Sequence, residues 1–178
     1  MIEPAERQRL LQLARDAIVA HLSGLPAPRA EVSPIMDRRA GVFVSLHQGE
    51  ALRGCIGHIE PDQPLSRGVP SSAIAAAATD PRFAPVMNNE IPELRIELSI
   101  LGPLERIASV HEIEIGRHGL LIERGWSRGL LLPQVAVEWG WDAEVFLSQT
   151  CHKAGLPLDA WKSDATIWRF EAEVFSEP

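Results

Sequence analysis

Gly41-Val-Phe-Val-Ser-Leu-His-Gln-Gly-Glu-Ala-Leu-Arg-Gly-Cys-Ile-Gly-His-Ile59 is the stretch that decides the fold. Gly41 to His47 is rich in β-branched and aromatic residues, which predicts a strand. Gln48-Gly49-Glu50 can turn the chain, so Ala51 to Ile59 returns as the second arm of a hairpin, and a hairpin pairs antiparallel. The second arm carries the hexapeptide Leu52-Arg-Gly-Cys-Ile-Gly57. Glycine is disfavoured in strands and often marks a bulge or a place where backbone or ligand approaches closely. The hexapeptide is therefore the first candidate for a functional site.

Further strands follow the same reasoning. Glu93 to Leu101 alternates, with Leu94, Ile96, Leu98 and Ile100 on one face and Glu93, Arg95, Glu97 and Ser99 on the other, which predicts a half-buried strand. His118 to Arg124 and Arg128 to Leu132 flank Gly125 and predict a second hairpin. Thr166 to Phe175 alternates again, placing Trp168, Phe170, Ala172 and Val174 together. Between these lie helices. Pro4 opens the first, whose Leu10, Leu13, Ala14, Ala17, Ile18 and Leu22 recur at helical spacing until Gly24. Pro26, Pro28 and Pro34 belong to an extended connector. The alanine-rich run Ser71 to Thr79 is helical, with Pro70 marking its start or a kink. Ser109 to Glu112 has capping-box spacing. Pro133 opens a short helix to Trp139, and Asp142 caps a longer one from Ala143 to Ala154, closed by Gly155. Strands and helices joined by hairpins favour an α+β fold, and the middle of the chain, about 61–104, could form a smaller lobe.

Composition limits the function classes. With 178 residues, 46% of them hydrophobic, the chain can bury a core of its own as one domain or two joined lobes. Seventeen basic and 24 acidic residues give a net charge of −7, the wrong balance for neutralising phosphates, so no nucleic-acid partner is expected. Two cysteines far apart suggest no disulfide framework. Met1 to Leu13 mixes Glu3, Glu6, Arg7 and Arg9 among apolar residues and does not read as a signal peptide. No run of roughly 18 apolar residues predicts a membrane span. The expectation is a cytoplasmic protein with reduced thiols and no membrane association, its oligomeric state unknown.

Strand geometry narrows the chemistry. Side chains alternate, so Arg53, Cys55 and Gly57 share one face while Leu52, Gly54, Ile56 and His58 share the other. Gly57 is expected to leave space beside Cys55, and a cation such as Arg53 favours the nucleophilic thiolate. The competing reading makes Cys55 a small hydrophobe in a sheet core. Cys55 and His58 imitate a metal-ligand spacing, but an odd separation sends them to opposite faces, so no metal is expected. Glu97 could be a general base or a solvated surface carboxylate. His58, Gln134 and His152 are further candidate assistants. Cys151 shares a helical stripe with Leu147 and Ala154. Neither a phosphate-binding loop, a dinucleotide fingerprint nor a serine-hydrolase elbow occurs, and no cofactor is expected.

Taken together these residues resemble the AMMECR domain family, named for a human chromosomal region linked to Alport syndrome with midface hypoplasia and elliptocytosis. The resemblance rests on Leu52–Gly57, Asp80-Pro-Arg-Phe83, Ile96-Glu-Leu-Ser-Ile-Leu101, Arg128-Gly-Leu-Leu-Leu-Pro-Gln-Val135 and Cys151-His-Lys-Ala-Gly-Leu156, and reaches Trp161. It implies a two-lobed α+β fold, antiparallel sheets flanked by helices. The larger lobe would take about 1–60 plus 105–178 and the smaller about 61–104, with the hexapeptide facing a cleft between them. The expected site has Cys55 and Arg53 as catalytic candidates, lined by Leu52, Gly54, Ile56, Gly57, His58, Glu97, Gln134 and Cys151. Pro70 departs from the uninterrupted helix expected there. The bacterial branch is similar to protein A of the AmmeMemoRadiSam system, which implies Memo-like and radical SAM proteins as partners. The resemblance carries no reaction. It leaves a cysteine-dependent enzyme acting on a large, protein-like substrate and a non-catalytic protein-binding module as the two expectations.

Overall fold

The computed structural model describes residues 1–178. Five helices, α1 (Pro4–Leu22), α2 (Pro34–Asp37), α3 (Leu65–Ala78), α4 (Pro133–Glu138) and α5 (Ala143–Lys153), alternate with seven strands. The strands are β1 (Val42–Gln48), β2 (Ala51–His58), β3 (Leu94–Leu101), β4 (Glu105–Ile107), β5 (His118–Arg124), β6 (Ser127–Leu131) and β7 (Thr166–Ser176). Every strand pairing described below is antiparallel. The α+β expectation holds.

The chain divides into two compact units, Met1–Leu101 with Glu173–Pro178, and Gly102–Ala172. The expected smaller lobe at about 61–104 is not one of them. Its helix and strand belong to the first unit because α3 packs on β1 and β2, and β3 hydrogen-bonds to β1.

In the first unit the strands run β2-β1-β3, so β2 is an edge. One face of this sheet is the core. Val42, Val44, Leu46, Leu94, Ile96, Leu98 and Ile100 are buried there with Leu10, Leu13, Ala14 and Ile18 of α1 and Val69, Ala73, Ala76 and Ala77 of α3. Each fully buried Leu or Ile contributes about 1.5–3 kcal/mol relative to exposure. Pro70 lies inside α3 rather than at its start, and the helix begins earlier than expected, at Leu65 behind Pro64. The rung that Pro70 cannot form is offset by the packing of its neighbours on this core. Gly49, at φ +59, makes the tight turn between β1 and β2.

A register shift between Leu46 and His47 bulges β2. Gly54 opposes Leu46, but Leu52, not Arg53, opposes His47. Directly opposed residues project from the same face, so Leu52 leaves the face it was expected to share with Gly54 and stands 38% exposed. Bulges re-aim side chains in this way. The α3 backbone meets β2 at Gly54, where an added Cβ would sit 2.2 Å from the Ala76 carbonyl oxygen.

The second unit has strand order β7-β5-β6, with β4 on β7. Leu120, Ile122, Phe146, Leu147 and Cys151 form its core. Asp142 caps α5 by accepting the Val145 N–H at 2.9 Å, and Gly155 follows the helix at φ +71, both as expected. The alternation expected along β7 fails at its end. Val174 is 39% exposed and Phe175 is buried, because Glu173–Ser176 belong to the first unit, where Phe175 joins the core.

The Gly54 approach makes a direct prediction. Gly54→Ala should destabilise the protein by about 1–3 kcal/mol in urea denaturation, since the opposing atom is backbone and cannot rotate away. A loss under about 0.5 kcal/mol, the level of an ordinary surface change, would contradict this packing.

Candidate functional site

Cys55 is held at the edge of its sheet by two charged groups from the segment after α3. Its N–H donates to Asp80 Oδ2 at 2.9 Å, and its carbonyl oxygen accepts from Arg82 Nη2 at 3.2 Å. Successive N–H and C=O groups of one residue in an antiparallel strand point the same way. Those of Cys55 point outward, so Cys55 and its partner Ser45 form a non-hydrogen-bonded pair, whose side chains stand closer together. Ser45 Oγ donates to Cys55 Sγ at 3.3 Å. Ser45 is 7% exposed, while the thiol residue itself is half-buried and a free cysteine.

Asp80 is nearly inaccessible, at 4% exposure, yet it is fully engaged. Arg82 grips it from Nε at 3.0 Å and Nη2 at 2.7 Å, and the Arg82 N–H adds a third bond at 3.1 Å. These contacts with Arg82, and then the Cys55 N–H, hold the Asp80 carboxyl well below the usual carboxylate range against the opposing effect of burial. Asp80 in turn raises the Arg82 guanidinium above its ordinary value, and the Cys55 thiol adds to this. Arg82 also lies over the Phe83 ring, 5.3 Å from its centroid.

Arg53 does something different from what was expected of it. Its guanidinium forks onto Glu90, Nε to Oε1 at 2.8 Å and Nη2 to Oε2 at 3.1 Å, and donates to the Ala84 and Pro85 carbonyls at 2.8 and 3.3 Å. The Arg53 contact and then the Met87 N–H lower the Glu90 carboxyl. Arg53 therefore fastens the 84–90 segment to β2. The cation that serves Cys55 is Arg82.

Other expected site residues divide between faces and units. Gly54 is buried beneath α3 and Ile56 packs against the core, so neither is on the Cys55 side. Gly57 leaves no open space, because the ring of Phe43 fills it, 2.5 Å from where a Cβ would stand. His58 turns toward α3, with Nδ1 3.5 Å from Ser72 Oγ and Nε2 3.4 Å from Gln63 Nε2. The Cys55–His58 pair thus points to opposite sides of the strand, and no group of three His, Cys, Asp or Glu side chains could hold a metal ion. Glu97 shares the Cys55 face, since both oppose Ser45. Gln134 and Cys151 lie in the second unit. Gln134 Oε1 is buried without a partner, and Cys151 is fully buried in the core, where loss of solvent pushes its thiol up. Cys151 lines nothing. His152, exposed in the last turn of α5, is also in the second unit.

Ser45, Asp80 and Arg82 were not among the candidates. Asp80-Pro-Arg-Phe83 stood among the blocks of the resemblance, but only the register of the hairpin and the path of the chain after α3 bring these residues to Cys55.

An antiparallel α+β unit with a half-buried thiol on its edge strand is the class that this fold and geometry define. The chain belongs to the AMMECR1 family, whose model matches residues 11–175. A protein of Methanothermobacter thermautotrophicus is 46% identical across 97% of this chain and 94% of its own. One of Methanosarcina mazei is 44% identical across 99% and 94%. The crystal structure of an uncharacterized protein, PH0010, of Pyrococcus horikoshii matches at a TM-score of 0.90 and 43% identity, covering 94% of this chain and 89% of that one.

The Asp80 clamp predicts a pH dependence. A carboxyl depressed in the folded state contributes stability that is present above the unfolded value of about 3.9 and is lost as pH falls below it. Asp80→Asn should lower stability by about 1–3 kcal/mol at pH 7 and flatten the acid limb of the stability curve. Urea denaturation at pH 3, 5 and 7 checks this; a variant whose curve runs parallel to the wild type's would contradict it.

Proposed function

We propose that this chain is a thiol-dependent enzyme in which Cys55 is the nucleophile or thiol acid/base, acting on a large, protein-like substrate. The observation that carries the reading is the Ser45 hydroxyl donating to the half-buried Cys55 sulfur, beside a guanidinium anchored by Asp80. The Ser45 hydroxyl is placed to donate to a thiolate, the form that reacts, and Arg82 sits on the Cys55 carbonyl oxygen. Fixing both the N–H and the C=O of Cys55 holds the thiol in one place, which is what positioning an attacking atom requires. A cytoplasmic setting, where thiols are kept reduced, suits such a group. No helix is long and apolar enough to cross a membrane.

The test is alkylation by iodoacetamide followed peptide by peptide in a mass spectrometer, which separates Cys55 from the buried Cys151. Cys55 should react faster than a small free thiol at neutral pH, and Arg82→Ala should slow it about five-fold, the equivalent of ~1 kcal/mol. A wild-type Cys55 that reacts no faster than the free thiol at any pH would end the enzyme reading.

A second reading, a non-catalytic module docking Memo-like and radical SAM partners, is favoured by a different observation. Leu52 and Met87 are 38% and 61% exposed on the two segments that Arg53 ties together. In a pull-down with a Memo-like partner this reading expects Arg53→Ala to weaken capture and Cys55→Ser to leave it intact. Equal capture by Arg53→Ala would remove it.

A further inference from the structure

The second unit exposes an aromatic surface where α4 gives way to α5, along Val137-Glu-Trp-Gly-Trp-Asp-Ala-Glu144. Trp141 packs against the core of that unit, whereas Trp139 is 70% exposed. The two rings stack nearly parallel, at 17°, with centroids 6.0 Å apart. A defined turn holds them there. The Gly140 N–H donates to the Val137 carbonyl at 3.2 Å and the Trp141 N–H to the Ala136 carbonyl at 2.9 Å, with Gly140 at φ +65. Those two bonds and the left-handed glycine form a Schellman ending, which fixes the chain leaving the helix. Trp139 is thus a ring held against Trp141 on one side and open to solvent. Val137 beside it is exposed, and the turn of the exposed Ile115 and Gly116 comes close to the Val137 side chain. Large apolar groups exposed together and rimmed by polar ones mark interaction sites.

The rim is acidic. From Gly129 to His152 the chain has three acidic residues, Glu138, Asp142 and Glu144, and no lysine or arginine. All three are exposed. Asp142 spends Oδ1 on the Val145 N–H, and neither a hydrogen bond nor an ion pair engages the carboxylates of Glu138 and Glu144. Arg117, next to Gly116 in the chain, is already paired with Glu114 at 3.1 Å and Glu171 at 2.7 Å.

We propose that this surface docks a basic segment of a partner protein, with an arginine stacked on Trp139 and its charge met by Glu138, Asp142 and Glu144. The face of an indole attracts cations, and a guanidinium is flat and weakly hydrated, so it stacks where an ammonium does not. A nucleic acid would also stack on tryptophan, but its phosphates would meet three carboxylates here. The surface belongs to the second unit and Cys55 to the first, so this inference does not rest on the reactive-thiol reading.

The experiment titrates the full nitrogen-15-labelled chain with capped octapeptides of alternating arginine and glycine, lysine and glycine, or glutamate and glycine. Binding is read at the indole N–H signals by two-dimensional NMR. The arginine peptide should shift Trp139 and Trp141 saturably and leave Trp126, fully exposed between β5 and β6, unmoved. The lysine peptide should bind more weakly, and the glutamate peptide should shift nothing. Followed at Trp141, Trp139→Ala should weaken the arginine peptide about ten-fold, as expected of an aromatic anchor. Glu138→Gln combined with Glu144→Gln should weaken it about five-fold at low salt and little at high salt. Both variants should keep the wild-type urea midpoint, since the side chains they change are exposed, and Trp126→Ala should bind as wild type does. Trp139 and Trp141 signals that ignore the arginine peptide, or that answer the glutamate peptide equally, would overturn the proposal. So would unchanged binding in Trp139→Ala, or a stronger response to an oligothymidylate. A Trp139 signal that moves on dilution of the protein alone would assign the surface to a second copy of this chain instead.

Discussion

Edge strands leave every second N–H and C=O without a neighbour, and at Cys55 this protein fills both vacancies with one ion pair. Asp80 takes the N–H and Arg82 supplies the carbonyl's donor. The two charges neutralise one another, so a nearly inaccessible carboxylate is kept without an uncompensated charge. An open edge invites pairing with another chain. A side-chain clamp closes it while leaving the thiol on the sheet face. Much of the first unit follows from this one contact. It sets the path of the chain after α3, fixes which way the Cys55 main chain points, and so makes Ser45 and Cys55 a close pair.

Neighbouring residues of the hexapeptide support the clamp rather than repeat it. Gly54 lets the α3 backbone approach β2, which brings the end of that helix, and Asp80 just beyond it, against the edge. The bulge at Leu46/His47 frees Arg53 to reach Glu90 and the Ala84 and Pro85 carbonyls, so the segment carrying Arg82 is tied down at its far end as well. Phe43 lies over Gly57 and closes the face on one side of Cys55. Arg53, Gly54 and Gly57 thus each make a different contact around Cys55, the group left available for chemistry.

The parts of this arrangement that depend on short-range rules were legible in the sequence. The β1–β2 hairpin, the alternation of Leu94 through Ile100, the Asp142 cap and the Gly155 stop are each set within a few residues. Three things were not. A bulge slips the alternation by one residue, so Leu52 left its expected face and no local pattern announced it. Pro70 breaks a local rule but sits within a helix whose neighbours bury a tertiary core, and packing overrode propensity. Asp80 and Arg82 reach Cys55 across 25 and 27 residues of chain, a pairing that needs the fold before it can be seen. Two glycines in a strand located the hexapeptide, yet strand alternation assigned the nearby cation to Arg53, two residues away in sequence, rather than to Arg82, which is adjacent in space. The unit boundary at Leu101/Gly102 was missed for a similar reason, because α3 and β3 look separable along the chain and are packed on α1 and β1 in the fold.

Hydrogen exchange at the Cys55 amide tests the clamp most directly. An edge-strand N–H with no partner strand exchanges freely, whereas one held by Asp80 should be protected as strongly as the interior amides of β1. That protection should disappear selectively in Asp80→Ala while the amides of β1 keep theirs. A Cys55 amide that exchanges at the rate of an open edge in the unaltered protein would contradict the account, and with it the positioning of the thiol.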